Sequence, residues 1–214
     1  MLPLSLPGRD PLKVLCLGAH CDDIEIGCAG TLMTLQERHP GSSFEWVIFT
    51  REDGRENESR EAASRIHPAG SATVEVLDFR MSYLPYEGTR VKDWFESLKG
   101  RASPDLVFTH RLEDRHQDHR LIAELSWNVF RNHLILEYEI PKYEGDLGHP
   151  NMYVPLAPAV VERKLELLMT CFPSQHPRAW FTRDLFAAHM RLRGIECNAA
   201  SGSAEAFHAR KVVL

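Results

Sequence analysis

Four short apolar runs, rich in β-branched residues, recur along the chain: KVLCLG at 13–18, FEWVIFT at 44–50, TVEVLDF at 73–79 and DLVFTH at 105–110. Short runs of this kind, bounded by turn residues, predict buried strands. The stretches between them have helical length. GCAGTLMTLQERH (27–39) opens on small residues, carries Leu32, Met33 and Leu35 at helical spacing, and stops at HPGSS. RENESREAASRIH (55–67) sets Ala62, Ala63 and Ile66 on one side of a polar helix, and GTRVKDWFESLKG (88–100) is closed by Gly100. DHRLIAELSWNVFRN (118–132) turns Leu121, Ile122, Leu125, Val129 and Phe130 to an inner face. Strands alternating with helices predict right-handed βαβ units on a mostly parallel sheet, an α/β fold.

The rest of the chain is less regular. HLILEYEIPKYEGDLGHPNMYVPL (133–156) alternates as an edge strand does, then breaks at Pro141, Gly145, Gly148 and Pro150, and a long loop there is a candidate substrate wall. APAVVERKLELLMTCF (157–172) and RAWFTRDLFAAHMRLRG (178–194) read as helices, and AEAFHARKVVL (204–214) closes on a β-branched pair. A chain of 214 residues fits one domain spanning 1–214, with a core over 12–132 and the wall, helices and last strand over 133–214. No repeat, low-complexity run or linker divides it.

Composition narrows the classes. With 43% hydrophobic residues the chain has material for a packed core. A net charge of −5 gives no basic field for nucleic acid or anionic lipid, so a nucleic-acid partner is not expected. The opening MLPLSLPGRDPLK lacks a basic start leading into a long apolar segment, and no stretch reaches the roughly 18 apolar residues of a membrane span. The five cysteines are odd in number and never spaced C-x-x-C, which points to a reducing cytoplasm and to Cys16 as a small core residue. A homo-oligomer is left open.

The chemistry gathers at two strand ends, where sites of α/β sheets lie. His20, Cys21, Asp22 and Asp23 follow the first strand; His110, Asp114, His116, Asp118 and His119 follow the fourth. His20 and Asp23 can meet one cation from a single turn, and His119 can complete a two-histidine, one-carboxylate set from the neighbouring loop. That is the ligand count of a catalytic zinc with an open position, which brings the pKa of water down to about 7. Asp22, adjacent to a ligand but diverging from it, is then the natural base. The plainer reading of the Asp22–Asp23 pair is a helix cap followed by a first-turn acid. His116 and His119 likewise have a plainer reading as exposed polar residues at a helix start.

AHCDDIEIGCAGTL resembles the signature of the LmbE-like, or PIG-L, metal-dependent de-N-acetylases, AHPDD-x-E-x-x-x-G-G, and RHQDHR is similar to their second motif, H-P-D-H. TREDGRENESREAA and AEAF (204–207) resemble further family segments, so the likeness spans nearly the whole chain. It implies a Rossmann-like three-layer sandwich with its active site at the C-terminal ends of the strands. It also implies that His20, Asp23 and His119 bind zinc, Fe2+ being another metal of the right kind, and that Asp22 is the general base. His116 is implied to stabilise the oxyanion. Arg55 is implied as a sugar or phosphate contact, beside the plainer reading of a helical arginine paired with Glu52 or Glu58. Asp118 is expected to hold a ligand histidine; Asp53, Arg80, Asp78 and His110 end strands on the same side, where they can meet substrate. The implied function is removal of an N-acetyl group from an N-acetylglucosamine-type amino sugar or glycoconjugate, in glycan biosynthesis.

Three positions depart from the family pattern: Cys21 and Gln117 replace prolines, and Ala29 replaces a glycine. None removes an implied ligand. Two rivals stand beside this reading. One is a zinc hydrolase of another small amide or ester. The other is a nucleotide-binding Rossmann-like module, against which G-A-H-C-D-D stands in place of G-x-G-x-x-G, with carboxylates where a pyrophosphate would sit. The four tryptophans are expected in the core or on packed helices rather than as sugar platforms.

Overall fold

A computed structural model of the chain describes residues 10–52, 54–67 and 70–212. The first nine residues, Asp53 and the end of the closing β-branched pair lie outside the described residues. The four expected strands are all present: β1 (Lys13–Gly18), β2 (Ser43–Thr50), β3 (Ala72–Phe79) and β4 (Leu106–His110). Alternate residues of each serve different layers. Val14 and Cys16 of β1, with Phe44, Trp46 and Ile48 of β2, pack on one face; Leu15, Leu17, Val47 and Phe49 pack on the other. Burial on both faces is why these runs are apolar at successive positions instead of at every second one.

The first face is covered by α1 (Asp23–Arg38), α2 (Arg55–Ile66), α5 (Pro158–Cys171) and α6 (Arg183–Glu196). The second is covered by α3 (Gly88–Arg101) and α4 (Gln117–Val129). The result is three layers with a mostly parallel sheet, as the alternation predicts.

The segment 133–156 corrects one expectation. It is not a single edge strand: β5 (Leu134–Tyr138) runs parallel beside β4 inside the sheet, and only β6 (Met152–Pro155) lies at the edge. Between them enters β7 (Ala204–His208), antiparallel to both, in a seven-stranded order β3-β2-β1-β4-β5-β7-β6. The alternation of 133–140 is that of a strand whose polar positions, Glu137 and Glu139, are buried against partners from far along the chain.

Two features aim α1. Strand order reverses between β1 and β4, so the crossovers depart to opposite faces there and leave a crevice at the strands' C-terminal ends. Behind it, a buried pair clamps the helix: Lys164 of α5 donates to the Ile26 carbonyl (2.6 Å) and to Glu205 of β7 (2.5 Å), while Glu205 accepts from the backbone N–H of Gly30 (2.9 Å) and Thr31 (2.6 Å). Gly27 lets α1 lie on Tyr138, since a Cβ there would stand 2.4 Å from the Tyr138 ring.

Candidate active site at the β1–β4 crevice

The loop after β1 is pinned before it turns. Thr50 donates to the Ala19 carbonyl through both its backbone N–H (2.9 Å) and its hydroxyl (2.8 Å), and the Ala19 N–H donates to His110 Nε2 (2.9 Å). Asp22 then takes φ 123°, a conformation that costs an L-residue about 1–3 kcal/mol. It stands at the cap position of α1 yet makes no cap bond with its side chain. Its Oδ2 instead accepts from Arg55 Nη2 at 2.9 Å, and Arg55 also donates to the Cys21 carbonyl and to Glu52. The plain capping reading of Asp22 therefore fails: strain turns its carboxylate away from the helix N–H groups. Asp23 does sit in the first turn, where it accepts from the His20 N–H at 2.7 Å.

Two histidines are each held by a carboxylate. His20 Nε2 lies 3.1 Å from Asp118 Oδ2, and His119 Nδ1 lies 2.9 Å from Asp114 Oδ2. An ionised carboxylate only accepts, so each ring carries a proton on that nitrogen. Asp118 and Asp114 are both held below the usual carboxylate range: burial opposes this, but the hydrogen bonds from His20 and His119 outweigh it. His20 Nδ1 and His119 Nε2 are left facing each other at 3.2 Å, with Asp23 oxygens 3.4 Å from each. Two ring nitrogens and a carboxylate at this spacing lie within reach of one cation.

The electrostatics require a positive charge at that point. Asp23 is held well below the usual range, burial being outweighed by His119, His110 and His20. His20 is raised to about 10, burial being outweighed by Asp23 and Asp118, whereas burial and His110 lower His119 to about 3. A proton on His20 or a divalent metal satisfies the cluster.

Around this centre stand the remaining groups. His116 Nδ1 accepts from the Asp118 N–H at 3.3 Å and so caps α4. Burial lowers its pKa, so at neutral pH its one proton lies on Nε2, a donor available to substrate. Its ring centroid is 4.8 Å from that of His20 and 4.5 Å from that of His119. Asp22 is raised to about 7, mainly by burial, against the pull of Arg55. The structure thus brings together His20, Asp22, Asp23, His116, Asp118 and His119.

Other expected residues sit differently. Arg55 is largely buried against Asp22, with its donors already engaged. Arg80 is exposed on the rim, its guanidinium 3.6 Å above the Tyr83 ring. Asp53 lies outside the described residues. Cys21 is buried, its thiol pushed up to about 12 by burial and by Glu25, which makes it a packed thiol; Glu25 itself is raised to about 8 by burial. Trp46 is fully buried, and Trp94, Trp127 and Trp180 pack against the core.

Two residues outside the expected ligand set prove central. His110 is fully buried, stacks on His119 with centroids 3.9 Å apart, and puts Nε2 3.1 Å from Asp23 Oδ2. Potential ligand atoms of Asp23, His110 and His119 lie within 4.8 Å of one another, as do those of His20, His116 and His119. Asp114 bonds His119 and, through Oδ1, the His116 N–H at 2.8 Å. A histidine ending the strand beside β1 was the available signal for the first.

A family model described as GlcNAc-PI de-N-acetylase, PIG-L, matches residues 15–130. N,N'-diacetylchitobiose deacetylase from Pyrococcus horikoshii has a similar structure, with a TM-score of 0.74 at 22% identity over 97% of this chain and 87% of that one. A deacetylase of teicoplanin biosynthesis gives 0.74 at 14% identity over 92% and 97%. A 4-carboxy-2-hydroxymuconate hydratase from Pseudomonas putida KT2440 gives 0.69 at 16% identity over 95% and 98%. At such identities the likeness speaks for the fold, and the hydratase is a reminder that one fold carries several reactions.

Proposed function

The chain belongs to the PIG-L family of de-N-acetylases, hydrolases of amide bonds, and from that premise we propose that it is a zinc enzyme removing the N-acetyl group from an N-acetylglucosamine-type amino sugar or glycoconjugate. The observation that carries this reading is the convergence of two ring nitrogens and one carboxylate at 3.2–3.4 Å, beside a second carboxylate raised to about 7.

His20, Asp23 and His119 would hold the metal, which would supply Lewis acidity toward water and the acetamide carbonyl. Asp22 takes the proton of the attacking water and returns it to the leaving amine, a role suited to a carboxyl whose pKa lies near neutrality. Arg55 fixes its direction. His116 donates Nε2–H to the oxygen on which negative charge develops. Asp118 and Asp114 keep the two ligand rings in the tautomers that present lone pairs. Zinc is preferred because two histidines and one carboxylate with an open position are the ligand count of a catalytic zinc, and the five unpaired cysteines support a reducing, cytoplasmic setting. No described helix is long and apolar enough to cross a membrane.

The test pairs metal analysis of the purified protein with acetate release from a panel of N-acetylglucosamine derivatives. Asp22→Asn is expected to retain the metal and to lose about 10²–10⁴-fold in rate. A wild type that binds no divalent metal, or an Asp22→Asn protein with full activity, overturns the mechanism. Acetate released only from amides or esters that are not sugars overturns the substrate class.

A further inference from the structure

The two carboxylates behind the ligand histidines are themselves held by different means. Asp118, behind His20, accepts from the backbone N–H groups of Ser82 (2.6 Å, to Oδ2) and Leu84 (3.2 Å, to Oδ1). Asp114, behind His119, has one backbone donor, the His116 N–H on Oδ1 (2.8 Å), and on its other oxygen a side chain: Lys142 Nζ lies 3.0 Å from Asp114 Oδ2, the same oxygen that His119 Nδ1 reaches at 2.9 Å. Lys142 belongs to the segment joining β5 to β6, the candidate substrate wall. Its side chain is 7% exposed, and its ammonium also bonds both oxygens of Asp146, at 2.9 and 2.8 Å. Asp146 is tied back to the loop after β4, accepting from the Arg115 N–H (2.6 Å) and, through its carbonyl, from Arg111 (2.6 Å).

We propose that Lys142 is a positioning residue for His119, coupling the order of the 140–148 loop to the affinity of the metal site. The inference rests on the metal reading given above. The physical argument has two parts. An ammonium between Asp114 and Asp146 neutralises two buried carboxylates that would otherwise repel each other and pull Asp114 away from the ring. Because one oxygen of Asp114 serves both His119 and Lys142, displacement of the lysine displaces the oxygen that fixes the ring's tautomer and direction. Coupling is reciprocal, so a metal on His119 must in turn tighten the loop carrying Lys142. Tyr143 and Leu147 lie exposed on that loop.

Zinc titration of the full chain, read by calorimetry or a competing chelator, tests this. Lys142→Met is expected to weaken zinc about 10–100-fold, the usual effect of losing a group that orients a ligand. Lys142→Arg recovers most of that loss. Asp114→Asn weakens zinc comparably, and the double variant loses little more than either single one, as two residues acting through one oxygen must. A second readout needs no variant: amide exchange in 140–148 slows when zinc is added to the wild type. Wild-type affinity in Lys142→Met, additive losses in the double variant, or loop exchange indifferent to zinc overturns the proposal and leaves the metal reading intact. A wild type that binds no zinc overturns both.

Discussion

Among the described residues, two clusters of histidine and buried carboxylate differ in what is left unsatisfied. In the crevice, His20 Nδ1, His119 Nε2 and Asp23 converge on one point, where a proton or a metal must sit between them. Past the end of β5, Glu139 is equally buried, but Arg193 grips it with Nε at 2.9 Å and Nη2 at 2.8–3.0 Å, the Gly148 N–H donates at 2.9 Å, and His189 and His208 approach at 3.4 Å. Its carboxyl is held below the usual range, burial being outweighed by those donors. Residue type alone therefore does not make a cation site. The arginine fork completes the second cluster and turns it into a bracket joining the β5–β6 segment, α6 and β7, whereas the first cluster remains complete only with a cation.

Breaking the bracket is the largest expected effect on stability. Arg193→Met leaves Glu139 buried with its main partner gone, and we expect about 3–5 kcal/mol lost in urea unfolding with zinc stoichiometry unchanged in the protein that folds. Metal loss in that variant would mean that the clusters are not independent.

A buried histidine outside both clusters sharpens the contrast, because it has no carboxylate. His67 packs on Phe44, with centroids 4.0 Å apart, bonds Gln36 at 3.1 Å, and is lowered from 6.5 to about 4 by burial. Its folded pKa lies below its unfolded one, so the unfolded chain takes up the proton first. Stability from this group is complete above pH 6.5 and is lost as pH falls toward 4, by about 3 kcal/mol. Unfolding midpoints at pH 7 and pH 4.5 should converge in His67→Gln relative to wild type; an unchanged slope refutes the assignment.

The smallest effect probes the seam between the clusters. Tyr138 donates its hydroxyl to the Leu17 carbonyl at 2.7 Å beside His110, and the next residue is Glu139. Gly27→Ala drives a methyl group into that ring and is expected to cost about 1–2 kcal/mol. A neutral substitution would show that Tyr138 is free to move.

The same contrast explains what could be seen in the sequence. The crevice cluster is drawn mostly from AHCDD and DRHQDH, short motifs at the ends of strands whose two-sided burial writes a continuous apolar signal. The bracket takes residues 139, 189, 193 and 208, each unremarkable in its own neighbourhood, and so no local pattern reveals it. Lys142 was illegible for that reason too. The start of α1 at Asp23 instead of Gly27 has another cause: Asp22, Asp23 and Glu25 occupy that first turn for the site's chemistry, and they hide the apolar period that marks a helix. The place of β5 inside the sheet follows from β7 returning to pair beyond it, a tertiary fact.

The most direct measurement is zinc stoichiometry and affinity in three proteins side by side: wild type, His119→Ala and Glu139→Gln. The account predicts one zinc per chain in the wild type, its loss in His119→Ala, and near wild-type binding in Glu139→Gln. Undiminished binding in His119→Ala, or its loss in Glu139→Gln alone, would contradict the claim that the unspent electron pairs of the crevice are the metal site.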